Sequence, residues 1–260
     1  MPKVTTFHDE RVLARTLAAQ IVEALAAKPD LVLGLPTGRT PVRLYHELGA
    51  MHAKGQADFS RVTTFNLDEF LGVPPEHPGS YRSFMHEHLF SRVNIPASRI
   101  NLLNGIAPDP LAECIRYERA IAAAGGIDLQ LLGIGTNGHI GFNEPARELT
   151  GPTHRVVLKA STRHSNAALF GGNEDDVPRE ALSMGMATIL RARRIILLAT
   201  GKSKAACIER AVHGPITTRM PASFLQLHRD VELMLDDAAA GQLSRSATDH
   251  IPNASLIPDP

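Results

Sequence analysis

The chain has 260 residues and carries 27 Lys and Arg against 27 Asp and Glu, so its formal net charge is zero. The lack of a basic excess argues against a general binder of nucleic acid or of anionic membranes, and no apolar run reaches the roughly 18 residues of a membrane helix. The two cysteines, Cys114 and Cys207, and an N-terminus without a signal-peptide pattern predict a reduced, cytoplasmic globular protein.

Helix-like and strand-like segments alternate along the chain. Apolar residues at every fourth position from Leu13 to Leu25 predict a first helix, which Pro29 closes. The apolar run at 31–35 predicts a buried strand, and a second strand is expected at 62–70. Later segments predict helices at 109–124 and 202–212, and strands at 128–132, 194–199 and 231–235.

This alternation predicts an α/β protein, a single-domain three-layer sandwich around a mostly parallel, Rossmann-like central sheet. We expect one domain at 1–245 and a loosely held, polar and Pro-containing tail at 246–260. In such sheets ligands bind outside the carboxyl ends of the strands. Four polar, Gly-bearing segments follow predicted strands there.

Two of these segments carry groups suited to an anion. The turn after the first predicted strand presents two hydroxyls and a guanidinium beside helix N-terminal amides, at Thr37, Gly38, Arg39 and Thr40. After a later strand, Lys204 falls in the first turn of a helix, where its charge opposes the helix dipole and favours an anionic ligand. The alternatives are an ordinary turn capped by Thr40 and a solvated lysine.

The other two segments carry acid–base groups. Asp68 and Glu69 end a buried strand on opposite faces, so one of them is a candidate general base, unless both merely face solvent. Residues 133–145 contain a literal G-x-G-x-x-G, but loop-forming residues follow it and argue against a dinucleotide site. This loop presents Asn137, His139 and Glu144, and the last two can form an acid–base couple near neutral pH. The alternative is a histidine bonded to a backbone carbonyl.

The motifs LGLPTGRTP, TFNLDEF, LLGIGTNGHIGFNEP and SFLQLH resemble those of the glucosamine-6-phosphate deaminases, also called glucosamine-6-phosphate isomerases. The similarity runs from about residue 12 to residue 236. It implies conversion of glucosamine 6-phosphate and water to fructose 6-phosphate and ammonia, without a metal or an organic cofactor. The implied partner is a small sugar phosphate rather than nucleic acid or membrane, and a homo-oligomer stays open.

The resemblance also implies roles for individual residues. Asp68 matches the base that moves a proton between C2 and C1, and His139 matches the acid–base group that opens the sugar ring. Glu144 matches the carboxylate partner of that histidine, and Asn137 completes the relay. Thr37, Gly38, Arg39 and Thr40, together with Lys204, match the phosphate contacts.

The chain departs from the family pattern at several positions. Many members carry Asp at the position of Asn137, some carry Gly at the position of Arg39, and a phosphate-binding lid arginine is replaced by Ala168. Arg39 is therefore expected to supply the missing guanidinium. His154 and Val156 occupy the positions of a basic pair that binds an effector in regulated members. A lactonase of the same fold and a non-catalytic sugar-phosphate sensor are the competing functions.

Overall fold

The computed structural model describes residues 2–243 and the backbone of residues 249–251. Its strands are β1 (Lys3–Phe7), β2 (Val32–Leu35), β3 (Thr63–Asn66), β4 (Asp68–Phe70), β5 (Ile100–Asn101), β6 (Leu129–Leu132), β7 (His154–Val157), β8 (Glu180–Ser183), β9 (Arg194–Ala199), β10 (Val231–Asp236) and β11 (Asp249–Ile251). Its α-helices are α1 (Glu10–Ala27), α2 (Arg39–Ala53), α3 (Tyr81–Met85), α4 (Pro110–Ala123), α5 (Ala160–Asn166), α6 (Met186–Leu190) and α7 (Ala205–His213).

Eight of the described strands form one sheet in the order β11-β1-β10-β9-β6-β2-β3-β5. Every neighbouring pair in this sheet is parallel. The predicted parallel α/β fold is therefore confirmed. None of the helices within the described part of the chain is long and apolar enough to cross a membrane.

Helices cover both faces of the sheet because its strands are apolar on both sides. In β9, Ile196 packs with α1 and α2, whereas Ile195 packs with α4 and α7 on the opposite face. The side chains of α1 that face the sheet, Leu13, Leu17, Ile21 and Leu25, are those whose four-residue spacing predicted the helix. The two apolar clusters give the three layers expected from the sequence.

The predicted strand at 62–70 is wrong as a single element. The chain forms β3, leaves the large sheet at Leu67, and enters a second, three-stranded antiparallel sheet as β4. That sheet has the order β4-β8-β7, and Asp68 lies opposite Ser183 in β8. The residues around the crossing, Asn66, Leu67 and Asp68, are all buried, so no exposed residue marks the break between the two strands.

Two predicted helix starts also differ in detail. Residue Gly38, with φ +95°, occupies the N-cap position of α2, so Thr40 is not its cap. The helix expected from residue 202 begins with a 3-10 turn, Lys202–Lys204, before α7. The predicted tail at 246–260 lies outside the described residues, apart from β11, whose backbone pairs with β1.

The topology brings the predicted functional segments together. The strands β9, β6, β2 and β3 are consecutive neighbours in the sheet and all point the same way. Their carboxyl ends therefore open at one edge. From β2 the chain continues to β3 on one side of β2, whereas β6, which comes later in the sequence, lies on the other side of β2. The junction between β2 and β6 is therefore a topological switch point.

Candidate active site

The loop after β6 forms a hydrogen-bonded relay. The side-chain amide of Asn137 donates from Nδ2 to Glu144 Oε2 over 2.8 Å, and its Oδ1 lies 2.7 Å from His139 Nδ1. The His139 backbone N–H donates to the same Oδ1 over 3.1 Å. The other carboxylate oxygen, Glu144 Oε1, lies 3.8 Å from His139 Nδ1. The three side chains singled out in this loop therefore act as one unit.

The relay fixes which ring nitrogen of His139 carries the proton. An ionised Glu144 can only accept hydrogen bonds, so Asn137 must present its NH2 group to Glu144 and its oxygen to His139. Nδ1 must then donate, and in the neutral imidazole Nε2 is left with a free lone pair. An aspartate in place of Asn137 would accept in the same way but would add a negative charge.

The charges around His139 favour the neutral ring. Burial lowers the pKa of this histidine, Glu144 raises it, and the positive charges of Lys204 and Lys159 lower it further. The net direction is downward, so the imidazole is uncharged at neutral pH. A neutral His139 with a free Nε2 can accept a proton.

The carboxyl group of Asp68 is buried at the start of β4, with 6% of the residue exposed. Burial raises its pKa from 3.8 to about 8, and the neighbouring Glu69 contributes to the rise. The backbone of Gly141, at φ +55°, passes so close that an added Cβ would lie 3.2 Å from Asp68 Oδ2. Because Gly141 is two residues after His139, Asp68 and the relay share one site.

Glu69 faces away from this site, as the alternation along a strand requires. Its Oε1 accepts hydrogen bonds from the backbone N–H groups of Phe70 (2.9 Å) and Tyr81 (3.0 Å). Its Oε2 accepts a third from the Arg82 N–H over 3.0 Å. These three bonds fix the start of α3 and occupy both carboxylate oxygens of Glu69. Asp68 is therefore the carboxyl group of this pair that can contact a ligand.

The turn between β2 and α2 lies in the same region. The hydroxyl of the buried Tyr81 lies close to Thr37, and its pKa, raised mainly by burial, is raised further by Asp68. The side chains of Thr37 and Thr40 are half-buried, whereas Gly38 and Arg39 are exposed. Tyr81 thus links the predicted anion-binding turn to Asp68.

Two cations border this turn. The pKa of Lys204 is lowered, chiefly because the residue is partly buried and also because Arg39 is positively charged. The same Lys204 lowers the pKa of His139. Arg39 and Lys204 therefore lie near each other without an acidic partner among the described residues, as expected of a site for an anion.

Another arginine, Arg163 on α5, is engaged elsewhere. It donates from Nη1 to the backbone oxygen of Glu174 over 3.3 Å. Ala168, which the sequence led us to expect at the position of a lid arginine, is exposed in the 3-10 turn Ala167–Phe170. The guanidinium nearest the anion-binding turn in the described structure belongs to Arg39.

Sequence reasoning missed one member of the relay. Thr162 on α5 is buried, and its hydroxyl donates a hydrogen bond to Glu144 Oε1. A threonine 18 residues from its partner carries no motif signal, so only the fold could reveal it. Asn143 in the same loop is structural, because its Nδ2 donates to the backbone oxygens of Ile140 and Met184.

One cavity lies away from these groups. It has a volume of about 380 Å³ and lies between α3 and β5, where Pro75, Arg82, His86 and Ile100 are among the lining residues. None of the predicted site residues lines it. Within the described chain, no group of three or more His, Cys, Asp or Glu side chains is arranged to hold a metal ion.

Comparisons with known proteins cover most of the chain. Residues 9–234 match the profile of the glucosamine-6-phosphate isomerases and 6-phosphogluconolactonases. A curated glucosamine-6-phosphate deaminase from Halothermothrix orenii is 51% identical over 241 residues, covering 93% of this chain and all of that protein.

The fold is shared with solved structures. A structure described as a monomeric glucosamine-6-phosphate deaminase superposes with a TM-score of 0.89 at 42% identity, covering 92% of this chain and 99% of its own. A 6-phosphogluconolactonase from Trypanosoma cruzi superposes with a TM-score of 0.77 at 23% identity, covering 94% and 97%, and shows likeness of fold alone.

Proposed function

Since the chain belongs to the family of glucosamine-6-phosphate isomerases and 6-phosphogluconolactonases, we propose that it converts glucosamine 6-phosphate and water to fructose 6-phosphate and ammonia. The observation that carries this proposal is the pairing, at one edge of the sheet, of a buried carboxyl group, Asp68, with the His139 relay. A carboxyl group is negative after it gives up its proton, and an imidazole is positive after it takes one up. Two such proton-transfer groups suit a substrate that must first open its ring and then shift a proton between carbons.

The phosphate group of the substrate anchors the sugar. It binds at the turn of Thr37, Gly38, Arg39 and Thr40, and Lys204 approaches from the neighbouring strand end. The lowered pKa of Lys204, caused by partial burial and by Arg39, supports this role, because a dianion would relieve the repulsion between the two cations. The anchor places the sugar ring toward the relay.

His139 opens the pyranose ring. Opening removes the proton of the C1 hydroxyl, forms the C1 carbonyl, breaks the bond between C1 and the ring oxygen, and protonates that oxygen. The free Nε2 of a neutral imidazole can accept the first proton and return it to the ring oxygen. Between the two transfers His139 is an imidazolium. Glu144 stabilises this cation, because its Oε1 lies near Nδ1 and its Oε2 holds Asn137 in place.

Asp68 then moves a proton from C2 to C1 of the open chain. Removal of the C2 proton gives an enolate, whose O1 takes a proton from the C2 ammonium, so that a neutral enolamine forms. Return of the first proton to C1 produces a CH2OH group at C1 and an iminium at C2. Water adds to C2 and passes a proton to the nitrogen, ammonia leaves with the C2–N electron pair, and loss of the C2 hydroxyl proton leaves the ketone of fructose 6-phosphate. The raised pKa of Asp68 matches this task, because the same group must accept and release a proton.

The substrate itself activates this base. In the empty site Asp68 holds its proton up to a pH of about 8, because burial disfavours the carboxylate. The ammonium at C2 of the bound amino sugar is an opposite charge beside it and lowers the pKa. The base therefore ionises when the correct substrate is bound, whereas a lactone, which has no amine, leaves it protonated.

We propose further that residues 1–245 carry the whole activity and that the reaction takes place in the cytoplasm. The unpaired thiols of Cys114 and Cys207, both buried, support a reducing compartment. A homo-oligomer stays a prediction, which sedimentation of the purified chain would check.

The decisive experiment measures ammonia release and fructose 6-phosphate formation from glucosamine 6-phosphate. The wild-type protein is expected to produce both in equal amounts. Asp68→Asn should lower the rate by at least about 10²-fold, the scale of one general base, while a phosphorylated substrate analogue still binds. Hydrolysis of 6-phosphogluconolactone without ammonia release from the amino sugar would instead identify a lactonase.

A further inference from the structure

Thr162 is the feature of the site that the reaction scheme above does not use. It lies on α5, in the segment between β7 and β8, whereas the relay lies in the loop between β6 and β7. Its hydroxyl donates to Glu144 Oε1, and the residue is 4% exposed. The same carboxylate oxygen lies 3.8 Å from His139 Nδ1, beyond hydrogen-bond distance.

We infer that Thr162 is a positioning residue of the relay, which holds Glu144 Oε1 away from His139 and so keeps the histidine neutral before the substrate binds. This inference rests on the proposed function only for its effect on turnover. Its effect on the histidine belongs to the resting protein and can be measured without any substrate.

The geometry of Glu144 supports this role. Each of its two oxygens has its own donor, since Asn137 donates to Oε2 and Thr162 to Oε1. The two bonds fix the carboxylate between two separate segments of the chain. Without the Thr162 hydroxyl, Oε1 has no donor among the described residues, and Nδ1 of the His139 ring lies 3.8 Å away.

The consequence for His139 follows from the charged groups that face it. Glu144 raises its pKa, whereas Lys204 on the neighbouring strand end and Lys159 before α5 lower it. A carboxylate released by Thr162 can approach Nδ1 and strengthen the one contribution that favours the imidazolium. The pKa of His139 should then rise, and less of the protein would carry the neutral Nε2 that ring opening needs at pH 7.

Thr162 itself is held firmly by its neighbours on α5. Its backbone oxygen accepts hydrogen bonds from Asn166 Nδ2 (2.8 Å) and Ser165 Oγ (2.9 Å), and its N–H bonds to the Lys159 backbone oxygen. The relay is complete only while α5 packs against the loop after β6. Through Thr162, the protonation of His139 depends on the position of helix α5.

The test compares three variants. Thr162→Val keeps the shape of the side chain and removes the hydroxyl, Thr162→Ser keeps the hydroxyl, and Ser161→Ala is the matched control at an exposed position of the same helix. The histidine titration is followed by NMR of the imidazole nitrogens, and a His139→Gln sample identifies the resonance. Thr162→Val should raise the pKa of His139 by about half a unit, whereas Thr162→Ser and Ser161→Ala should leave it unchanged.

Turnover gives the second readout. In Thr162→Val, kcat should fall about threefold at pH values below the pKa of His139, the factor that corresponds to a rise of half a unit. KM should change little, and the loss should shrink as the pH rises. Rescue by Thr162→Ser would assign the effect to the hydroxyl. An unchanged His139 titration in a folded Thr162→Val protein overturns the inference even if the deaminase activity is present. A raised pKa in a protein without deaminase activity supports it and contradicts only the proposed function.

Discussion

Replacing Asp68 with Asn should make the folded protein more stable at alkaline pH, although it removes the proposed base. Asp68 has a pKa of about 8 in the folded state because of burial, against 3.8 for the ordinary side chain. Between these two values the folded state binds one more proton than the unfolded state. The free energy of unfolding of the wild-type protein therefore falls as the pH rises from about 4 to 8.

The magnitude follows from the size of the shift. Each pKa unit corresponds to about 1.4 kcal/mol, so a rise of about four units sets a ceiling of roughly 6 kcal/mol. Local rearrangement around a buried charge reduces its cost well below this ceiling, so we expect about 2–3 kcal/mol. In a chain of this size that difference corresponds to a change of about 4–12 °C in Tm.

The assay is urea unfolding of the wild type and Asp68→Asn at pH 5, 7 and 9. The constant cost of an unpaired amide in the variant is the same at each pH and cancels when the differences are compared. Asp30→Asn, at an exposed turn, controls for the substitution itself. The variant should gain stability over the wild type between pH 5 and 9. A difference that stays constant, or one that changes in the opposite direction, would refute the buried, proton-holding state of Asp68.

Two further predictions concern ligands. Arg39→Ala should raise KM for glucosamine 6-phosphate at least about tenfold with little change in kcat, because charged hydrogen bonds contribute about 1.5–3 kcal/mol each in ground and transition states alike. A phosphate-bound structure with Arg163 on the anion and Arg39 turned away would contradict this. The enzyme should also show hyperbolic kinetics without activation by N-acetylglucosamine 6-phosphate, since His154 and Val156 stand where the effector-binding pair is expected; a sigmoidal curve that this ligand makes hyperbolic would disprove it.

The elements that the sequence predicted correctly are those whose buried apolar residues follow a regular pattern along the chain. The helix α1 shows its buried face every four residues, and β9 is apolar on both faces, so pattern and structure agree from Arg194 to Ala199. Two other strands give no such signal. The strand β7 of the second sheet is half-buried and exposed in alternation, and β5, at the edge of the large sheet, has only two residues, so neither is distinguishable from a loop.

The site was predictable only as far as its residues lie close in sequence. The loop that holds Asn137, His139 and Glu144 places all three within eight residues, and the strand-to-turn pattern locates it at the sheet edge. The spacing alone could not separate Asp68 from Glu69. That distinction depends on α3, whose N-terminal amides occupy Glu69 once the two segments pack together. Thr162 depends in the same way on the packing of α5.

The charges of the empty site explain why an amino sugar phosphate suits it. One end holds the cations Arg39 and Lys204, and the pKa of the lysine is lowered chiefly by burial and also by the positive charge of Arg39. The other end holds Asp68, whose burial keeps it protonated. A phosphate places negative charge beside Arg39 and Lys204, and an ammonium group favours ionisation of Asp68. A ligand with only the phosphate would bind but leave the base protonated, so the amine, rather than the phosphate, brings Asp68 into the state that the reaction needs.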